Sequence, residues 1–419
     1  MPETINLSSK IEKQLPAELV NFMRLAGEMA QSQGQSLYLV GGVVRDLLLG
    51  QTNLDLDLVL EGNAIDLARK LAEINGAKIT IHPRFGTAKL RWNKWSIDLA
   101  TARSETYTRP GALPSVEAGP IDSDLSRRDF TINTMAVYLN PDHYGELIDR
   151  HGGRDDLEHK NIRILHEKSF TDDATRIWRG LRYEQRLGFQ LESSTLKLLK
   201  RDIPMLDTIS GDRIRHELEL ILNEEYPEKV LRRAQELKVL SQLHPAVKGN
   251  GWLAEKFEQA RQSSSPGSPP IGLYLALLVY RLTDEETEQL ISHLRLPKSL
   301  TQTLRDSNSL KTRLESLADT ELSRSSIYRL LHEYSLPAIM ANSLAGDPPV
   351  ARQHLQLFLD NLRYVKSDLT GNDLKRIGVA PGPDIKKVLE LVLEARLDRK
   401  ITSRQGEEGL VNNWLVRNR

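Results

Sequence analysis

The chain has 419 residues, 39% hydrophobic and 27% charged, with 57 Lys and Arg balanced by 57 Asp and Glu, and no cysteine. This is a globular composition, too long for one compact domain. It excludes disulfides and cysteine-held zinc or iron–sulfur sites, and a formal net charge of zero excludes a global basic field toward nucleic acid, leaving only local basic surfaces.

The opening segment, MPETINLSSKIEK, lacks the apolar core of a signal peptide. Residues 36–42, SLYLVGG, predict a strand ending in a glycine turn, and VVRDLLLG (43–50) predicts a helix closed by Gly50. NLDLDLVL (53–60) alternates with period two, as a strand does. NAIDLARKLAEING (63–76) predicts a helix with Asn63 as N-cap and Gly76 as stop. KLRWNKWSIDLATAR (89–103) predicts two strands around an Asn-Lys turn, and the Gly/Pro/Ser-rich stretch 104–123 predicts a loop. From Thr171 onward helical patterns dominate, with one break at SSSPGSPP (263–270) and no fixed-period repeat. The longest apolar stretch, 271–280, is far shorter than the roughly 20 residues a spanning helix needs. The expectation is a soluble cytoplasmic α+β protein without a membrane segment: a small mixed α/β head followed by helices.

The DLDL segment raises the chemical question. In a strand alternate side chains share a face, so Leu54, Leu56, Leu58 and Leu60 are expected toward a core, with Asp55, Asp57 and Val59 opposite. Two ionised carboxylates so placed repel. A divalent cation relieves this, and Mg²⁺ favours one or two carboxylates plus phosphate oxygens. Two solvated acids on an exposed sheet face give the same pattern. An EF-hand does not fit, because the series Asn53, Asp55, Asp57, Val59 lacks the required glycine and later ligands. Gly41 and Gly42 precede a helix start, where backbone N–H groups can approach a phosphate, although a purely structural turn needs them equally. Arg45, one turn into that helix, reads either as a phosphate ligand or as a surface arginine. Asp98, in WSIDLAT, is a third carboxylate candidate or another solvated strand acid.

Taken together, GGVVRDLLLG and DLDLV resemble the head of the class II tRNA CCA-adding enzyme and bacterial poly(A) polymerase family. Four further motifs follow in that family's order: DLSRRDFTINTMA (124–136), ELIDRHGGRDDLEHKNIR (146–163), DDATRIWRGLRYEQRLGF (172–189) and ISGDRIRHELELIL (209–222). The resemblance covers residues 36–222 and, more weakly, LTGNDLKRIGVAPGPDIKKVLE in the tail. Two positions depart from the pattern. Asp172 stands where the neck motif has Glu, and 81–90 lacks the signature of the poly(A) branch, which places that reading second.

The resemblance implies a catalytic head over residues 1–150, a base-reading helical neck over 151–225, a helical body over 226–300 and a tRNA-binding tail over 301–419. It implies transfer of a nucleotide from CTP or ATP to a tRNA 3′ end, with Asp55 and Asp57 holding Mg²⁺ and Asp98 assisting at the primer hydroxyl. Gly42 and Arg45 would cradle the triphosphate, Arg128 would contact the nucleotide and Asp129 the ribose. Asp173 and Arg176, neighbours on a helix capped by Thr171, would present an acceptor beside a donor. That edge matches cytosine and adenine and rejects uracil and guanine. Arg179 and Arg182 would continue the stripe toward the triphosphate. Lys386, Lys387, Arg396, Arg399 and Lys400 are tail candidates for RNA phosphates, or else a solvated helix face. No obligate protein partner is implied. Competing readings are a poly(A) polymerase, a silent RNA-binding protein and a small-molecule nucleotidyltransferase; the intact acid pair opposes the second and the long helical tail the third. Whether C, C and A are all added, or only part of the triplet, is not legible from 104–123.

Overall fold

The structure, a computed structural model, describes residues 5–106, 109, 111 and 115–418. It divides into two compact units, Met1–Leu218 and Glu219–Arg419. A mixed α/β head followed by helices, as expected, is what the chain forms.

In the first unit, helices α1 (Ser8–Gln14) and α2 (Ala17–Ser32) lead into strand β1 (Ser36–Val40) and helix α3 (Gly42–Leu49). Then come β2 (Leu56–Glu61), α4 (Ala64–Asn75), β3 (Lys78–His82), β4 (Thr87–Trp92) and β5 (Trp95–Thr101). A hairpin of β6 (Arg103–Thr106) and β7 (Ser115–Ala118) precedes α5 (Ile121–Ser126), β8 (Met135–Tyr138) and β9 (Leu147–Asp149). Seven strands form one sheet in the order β3-β4-β5-β2-β1-β8-β9, in which only the β2–β5 pairing is parallel.

The punctuation residues behave as their chemistry dictates. The Asn63 side chain accepts from the Asp66 amide, and Gly50 and Gly76 take left-handed conformations that end α3 and α4. Asn93, at φ 51°, turns β4 into β5, and Trp92 and Trp95 pair across the turn. Leu56, Leu58 and Leu60 are buried on one face of β2, as are Leu67 and Leu71 of α4, which packs on this part of the sheet. On the other face Val59 joins Tyr38, Val40, Ile121 and Leu125 in a second cluster. Asp57, two residues before Val59, lies where that cover stops.

Several expectations need correction. The strand begins at Leu56, so Asp55 precedes it, and Leu54 is 39% exposed rather than in the core. An alternating pattern extends past a strand's end wherever the chain leaves the sheet without changing its rhythm. The stretch 104–123 is not all loop: β6 and β7 pair within it and α5 starts there, while 107–108, 110 and 112–114 lie outside the described residues. Strand β3 was not anticipated. Beyond Thr171 the described strand content is Gln190–Leu191, paired in parallel with Asn161–Ile162.

The neck comprises α6 (Gly153–Glu158), α7 (Ser169–Asp172), α8 (Thr175–Leu187), α9 (Ser193–Asp202) and α10 (Gly211–Leu222). Thr171 caps nothing here. It sits inside α7, and Asp173 breaks the helix; its side chain accepts from the Thr175 amide (3.0 Å) and hydroxyl (2.6 Å) at the head of α8.

The second unit is helical among its described residues, from Pro227–Glu236 to Arg404–Arg417. One of its cores gathers Leu310, Ile327, Leu331, Ile339, Leu355 and Phe358. A smaller one at the C-terminal end gathers Leu374, Val388, Val392 and Val411. No helix among the described residues is long and apolar enough to cross a membrane.

Candidate active site

The parallel pairing of β2 with β5 places Asp57 opposite Asp98. Directly paired residues point to the same face, so two carboxylates stand side by side on adjacent strands. They lie on the wall of a recess of about 440 Å³ that is also lined by Gly41, Gly42, Arg128, Asp129, Arg179 and Tyr183. Asp57 is reachable by solvent, yet crowding in the recess, with the charges of Asp98 and Asp55 beside it, pushes its carboxyl up to about 6 against the pull of Arg128. The charged form of such a group is less favoured than that of a free carboxylate, and a cation beside it restores the balance. The donors are hard oxygens, which fit a divalent cation that keeps water and phosphate oxygens as further ligands. No cluster of three or more His, Asp or Glu side chains with metal-holding geometry occurs among the described residues. The pair therefore fits a site that substrate phosphates would complete.

Opposite the acids stand the arginines. Asp124 is fully buried and accepts from Arg127 Nε (3.0 Å) and Nη2 (2.7 Å) and from Arg128 Nη2 (2.9 Å). Burial alone would raise this carboxyl, but the two guanidiniums overcome burial and hold it below the usual range. Asp129 is buried as well, yet is also lowered, by Arg179 at 2.9 Å together with the Asn133 amide and the Phe130 N–H. Arg179, on α8, is thereby tied to the head at the mouth of the recess. Tyr183 lies one turn further on the same helix face and packs edge-on against Phe130, with centroids 5.9 Å apart.

Gly41 makes the close approach possible. Its φ of 77° and ψ of −139° belong to a region that is nearly glycine-only. A Cβ there would stand 3.1 Å from Arg128 Nη1 and 3.7 Å from Asp57 Oδ2. Gly41→Ala is expected to cost about 1–3 kcal/mol of stability and to lower any activity of the recess at least about tenfold. Urea unfolding and turnover would check this, and two unchanged values would refute the close-approach account.

Of the residues singled out in the sequence, Gly42, Asp57, Asp98, Arg128, Asp129 and Arg179 share the recess; Asp55, Arg45, Asp173, Arg176 and Arg182 do not line it. Arg45 is 2% exposed, with Nε and Nη2 on Asp46 (2.8 and 2.9 Å) and Nη1 on Asn133 (2.8 Å), so its fork secures α3 rather than facing a phosphate. The side chains of Asp173 and Arg176 are not bonded to each other; the two meet only where the Arg176 N–H donates to the Asp173 carbonyl at 3.1 Å. Arg213 Nη2 holds Asp173 at 2.8 Å, while Arg176 donates to the carbonyls of Arg127 (2.7 Å) and Ser169 (3.4 Å). Asp129, read from the sequence as a ribose contact, has Arg179 and Asn133 as partners. Arg182 is buried and stacks over Tyr183 at 5.0 Å.

Sequence reasoning missed Arg127, Asn133, Thr87 and Tyr183, which also line the recess. For Tyr183 a signal existed: positions 176, 179 and 183 follow the i, i+3, i+7 spacing of one helix face. In the tail, Arg396 is committed to Asp368 and to the fully buried Glu407, Lys387 pairs with Asp384 at 3.3 Å, Lys386 with Glu390 at 3.8 Å and Lys400 with Asp398 at 3.2 Å.

A family model described as "Poly A polymerase head domain" matches residues 37–163, and one described as "Probable RNA and SrmB- binding site of polymerase A" matches 188–249. An A-adding tRNA nucleotidyltransferase of Geobacter sulfurreducens is 35% identical over 417 residues, 95% of this chain, and the chain spans only 47% of that protein's length. An A-adding tRNA nucleotidyltransferase of Halalkalibacterium halodurans is 30% identical over 393 residues, covering 92% of this chain and 90% of that protein. The solved Thermotoga maritima CCA-adding enzyme complexed with tRNA superposes with a TM-score of 0.73 at 32% identity, covering 99% of this chain and 100% of the other.

Proposed function

This chain belongs to the bacterial class II tRNA nucleotidyltransferase and poly(A) polymerase family, and on that premise we propose that it transfers a nucleotide from ATP or CTP to the 3′ end of tRNA, releasing pyrophosphate. The observation that carries this reading is the Asp57–Asp98 pair facing arginines across one recess. A triphosphate supplies the negative charge that Arg128 and Arg179 face, and it meets the N-terminus of α3, where the amides behind Gly41 and Gly42 favour an anion.

Asp57 and Asp98 would hold the divalent cation, Mg²⁺ in the simplest case, with Asp55 joining them in the substrate complex. Bound there, the cation would polarise the α-phosphate and make the primer 3′-hydroxyl a better nucleophile. Arg128, fixed by Asp124, and Arg179, fixed by Asp129, would bind and orient the phosphates. Charge-assisted bonds from pre-positioned guanidiniums require little rearrangement as charge builds during transfer. Tyr183 offers an aromatic face beside them. We assign 1–150 to the head, 151–225 to the neck, 226–300 to the body and 301–419 to the tRNA-holding tail, and the cytoplasm as location.

Between the parts of the triplet, the names of the relatives favour adenosine addition to tRNA already ending in CC; the resemblance to a CCA-adding structure favours the full triplet. The test presents tRNA lacking its triplet, and tRNA ending in CC, to each of the four nucleoside triphosphates, with products sequenced. The expected result is A on the CC-ended tRNA, with UTP and GTP rejected by about a hundredfold or more. C added to the shorter tRNA would establish the second reading. No extension of either tRNA would end the proposal.

A further inference from the structure

The pairing that aligns Asp57 with Asp98 continues one strand further. Lys89 on β4 lies opposite Asp98, so β2, β5 and β4 carry the row Asp57, Asp98, Lys89 on one face. Lys89 Nζ is 2.9 Å from Asp98 Oδ2, and the two side chains are 40% and 50% exposed. The two carboxylates are thus unequal. Asp98 already has a cation against one of its oxygens. Among the described hydrogen bonds and ion pairs none ends on the Asp57 carboxylate, on which Arg128 and, more weakly, Lys89 act through their charge alone.

We propose that Lys89 is a positioning residue, a tethered counter-ion that holds Asp98 while no divalent cation is bound and must withdraw for one to engage both oxygens of that carboxylate. Lys89 then sets the cation concentration at which the site fills. The inference rests on the reading of Asp57 and Asp98 as cation-holding groups. An ionised carboxylate only accepts; an ammonium on Oδ2 takes lone pairs that a dication bridging both oxygens needs, and repels a dication on Oδ1. Lysine suits the part: its charge is compact, and its four-carbon stem lets it leave without moving the strand. Exposure also suits it, since a half-exposed ion pair is weak enough to exchange. A cation leaning on Asp57 displaces no bonded counter-ion, the charges of Arg128 and Lys89 acting there only through space, so the row favours entry from the Asp57 side.

The test uses the full chain with no nucleotide or tRNA and titrates Mn²⁺, following free Mn²⁺ by electron paramagnetic resonance. Lys89→Met and Lys89→Gln are each expected to tighten Mn²⁺ binding about three- to fivefold, the scale of one exposed ion pair. Lys89→Arg keeps the competitor and should stay near the parent value. Arg91→Gln removes a positive charge two residues along the same face of β4, opposite Ser96, and should change the constant by less than about twofold. Unchanged or weaker binding in both neutral variants, or an equal gain in Arg91→Gln, overturns the inference. The double variant Asp57→Asn, Asp98→Asn serves the other question. If it binds Mn²⁺ like the parent chain, the cation site itself has been misread, whatever Lys89 does.

Discussion

Asp57→Asn is expected to reduce nucleotide transfer by about a thousandfold or more while leaving the fold intact. The carboxylate is one of a registered pair, and asparagine offers a neutral oxygen where charge is required. The loss should fall on the chemical step, because Arg128 and Arg179 keep their own anchors, Asp124 and Asp129. Nucleotide affinity should therefore change far less than single-turnover rate. Stability should not suffer. The Asp57 carboxylate takes none of the described side-chain hydrogen bonds, and it is raised to about 6 by crowding and by Asp98 and Asp55. A carboxyl raised in the folded state opposes folding once pH exceeds its ordinary value, so neutralising it removes a cost at pH 7. A near-normal rate at saturating Mg²⁺ would sink the assignment. Loss of soluble protein would show that the residue has a structural part instead.

The second large effect concerns Asp124, which is fully buried behind the recess-lining Arg127 and Arg128. Asp124→Ala is expected to lower stability by about 3–5 kcal/mol, because Arg128 would keep its partly buried place without the carboxylate that holds it and Arg127 would retain only Glu105. Asp124→Asn should recover little, since it can accept but carries no charge. The pH dependence has a definite sign. The folded carboxyl lies below the usual range, so its contribution is present above the unfolded value of about 4 and fades as pH falls through the lower folded value. Denaturant unfolding of parent and variant at neutral pH and near pH 3 should show the gap narrowing in acid. A gap under about 1 kcal/mol at neutral pH would mean that the buried pair is balanced by contacts elsewhere.

Features set by neighbouring residues were legible in the sequence. The glycine turn into α3, the Asn63 cap, the Gly76 stop and the turn at Asn93 each depend on a few residues whose φ and side-chain chemistry decide the outcome locally. The acid pair was half legible. Alternation showed that Asp57 faces away from the leucines, but its neighbour is set by a parallel pairing between strands about 40 residues apart. Asp98 was therefore named without the reason for its place, and Lys89 was not named at all. Arg45 was misjudged because its partner Asn133 lies 88 positions away and no local pattern marks an arginine as buried. The same holds for Asp173, whose i+3 arginine is near in sequence while Arg213, 40 positions on, is the one that bonds it. Strand β3 escaped because its residues alternate between intermediate and exposed, which leaves an edge strand with little apolar signal.

The two neck residues expected from the sequence to read a base have other occupations. Asp173 is held by Arg213 and Thr175, and Arg176 by two backbone carbonyls. A nucleobase edge that uses Asp173 Oδ1 or the engaged N–H groups of Arg176 has to draw them away from those contacts. Affinity for the nucleotide is then a product of two factors: the intrinsic fit, and the fraction of molecules in which the pair is already released. If that fraction were about 1%, apparent binding would be about a hundredfold weaker than the fit alone provides. Nucleotides that need the same released state share that penalty equally, so among them it sets the working concentration of the substrate without altering the ratio by which one base is preferred over another.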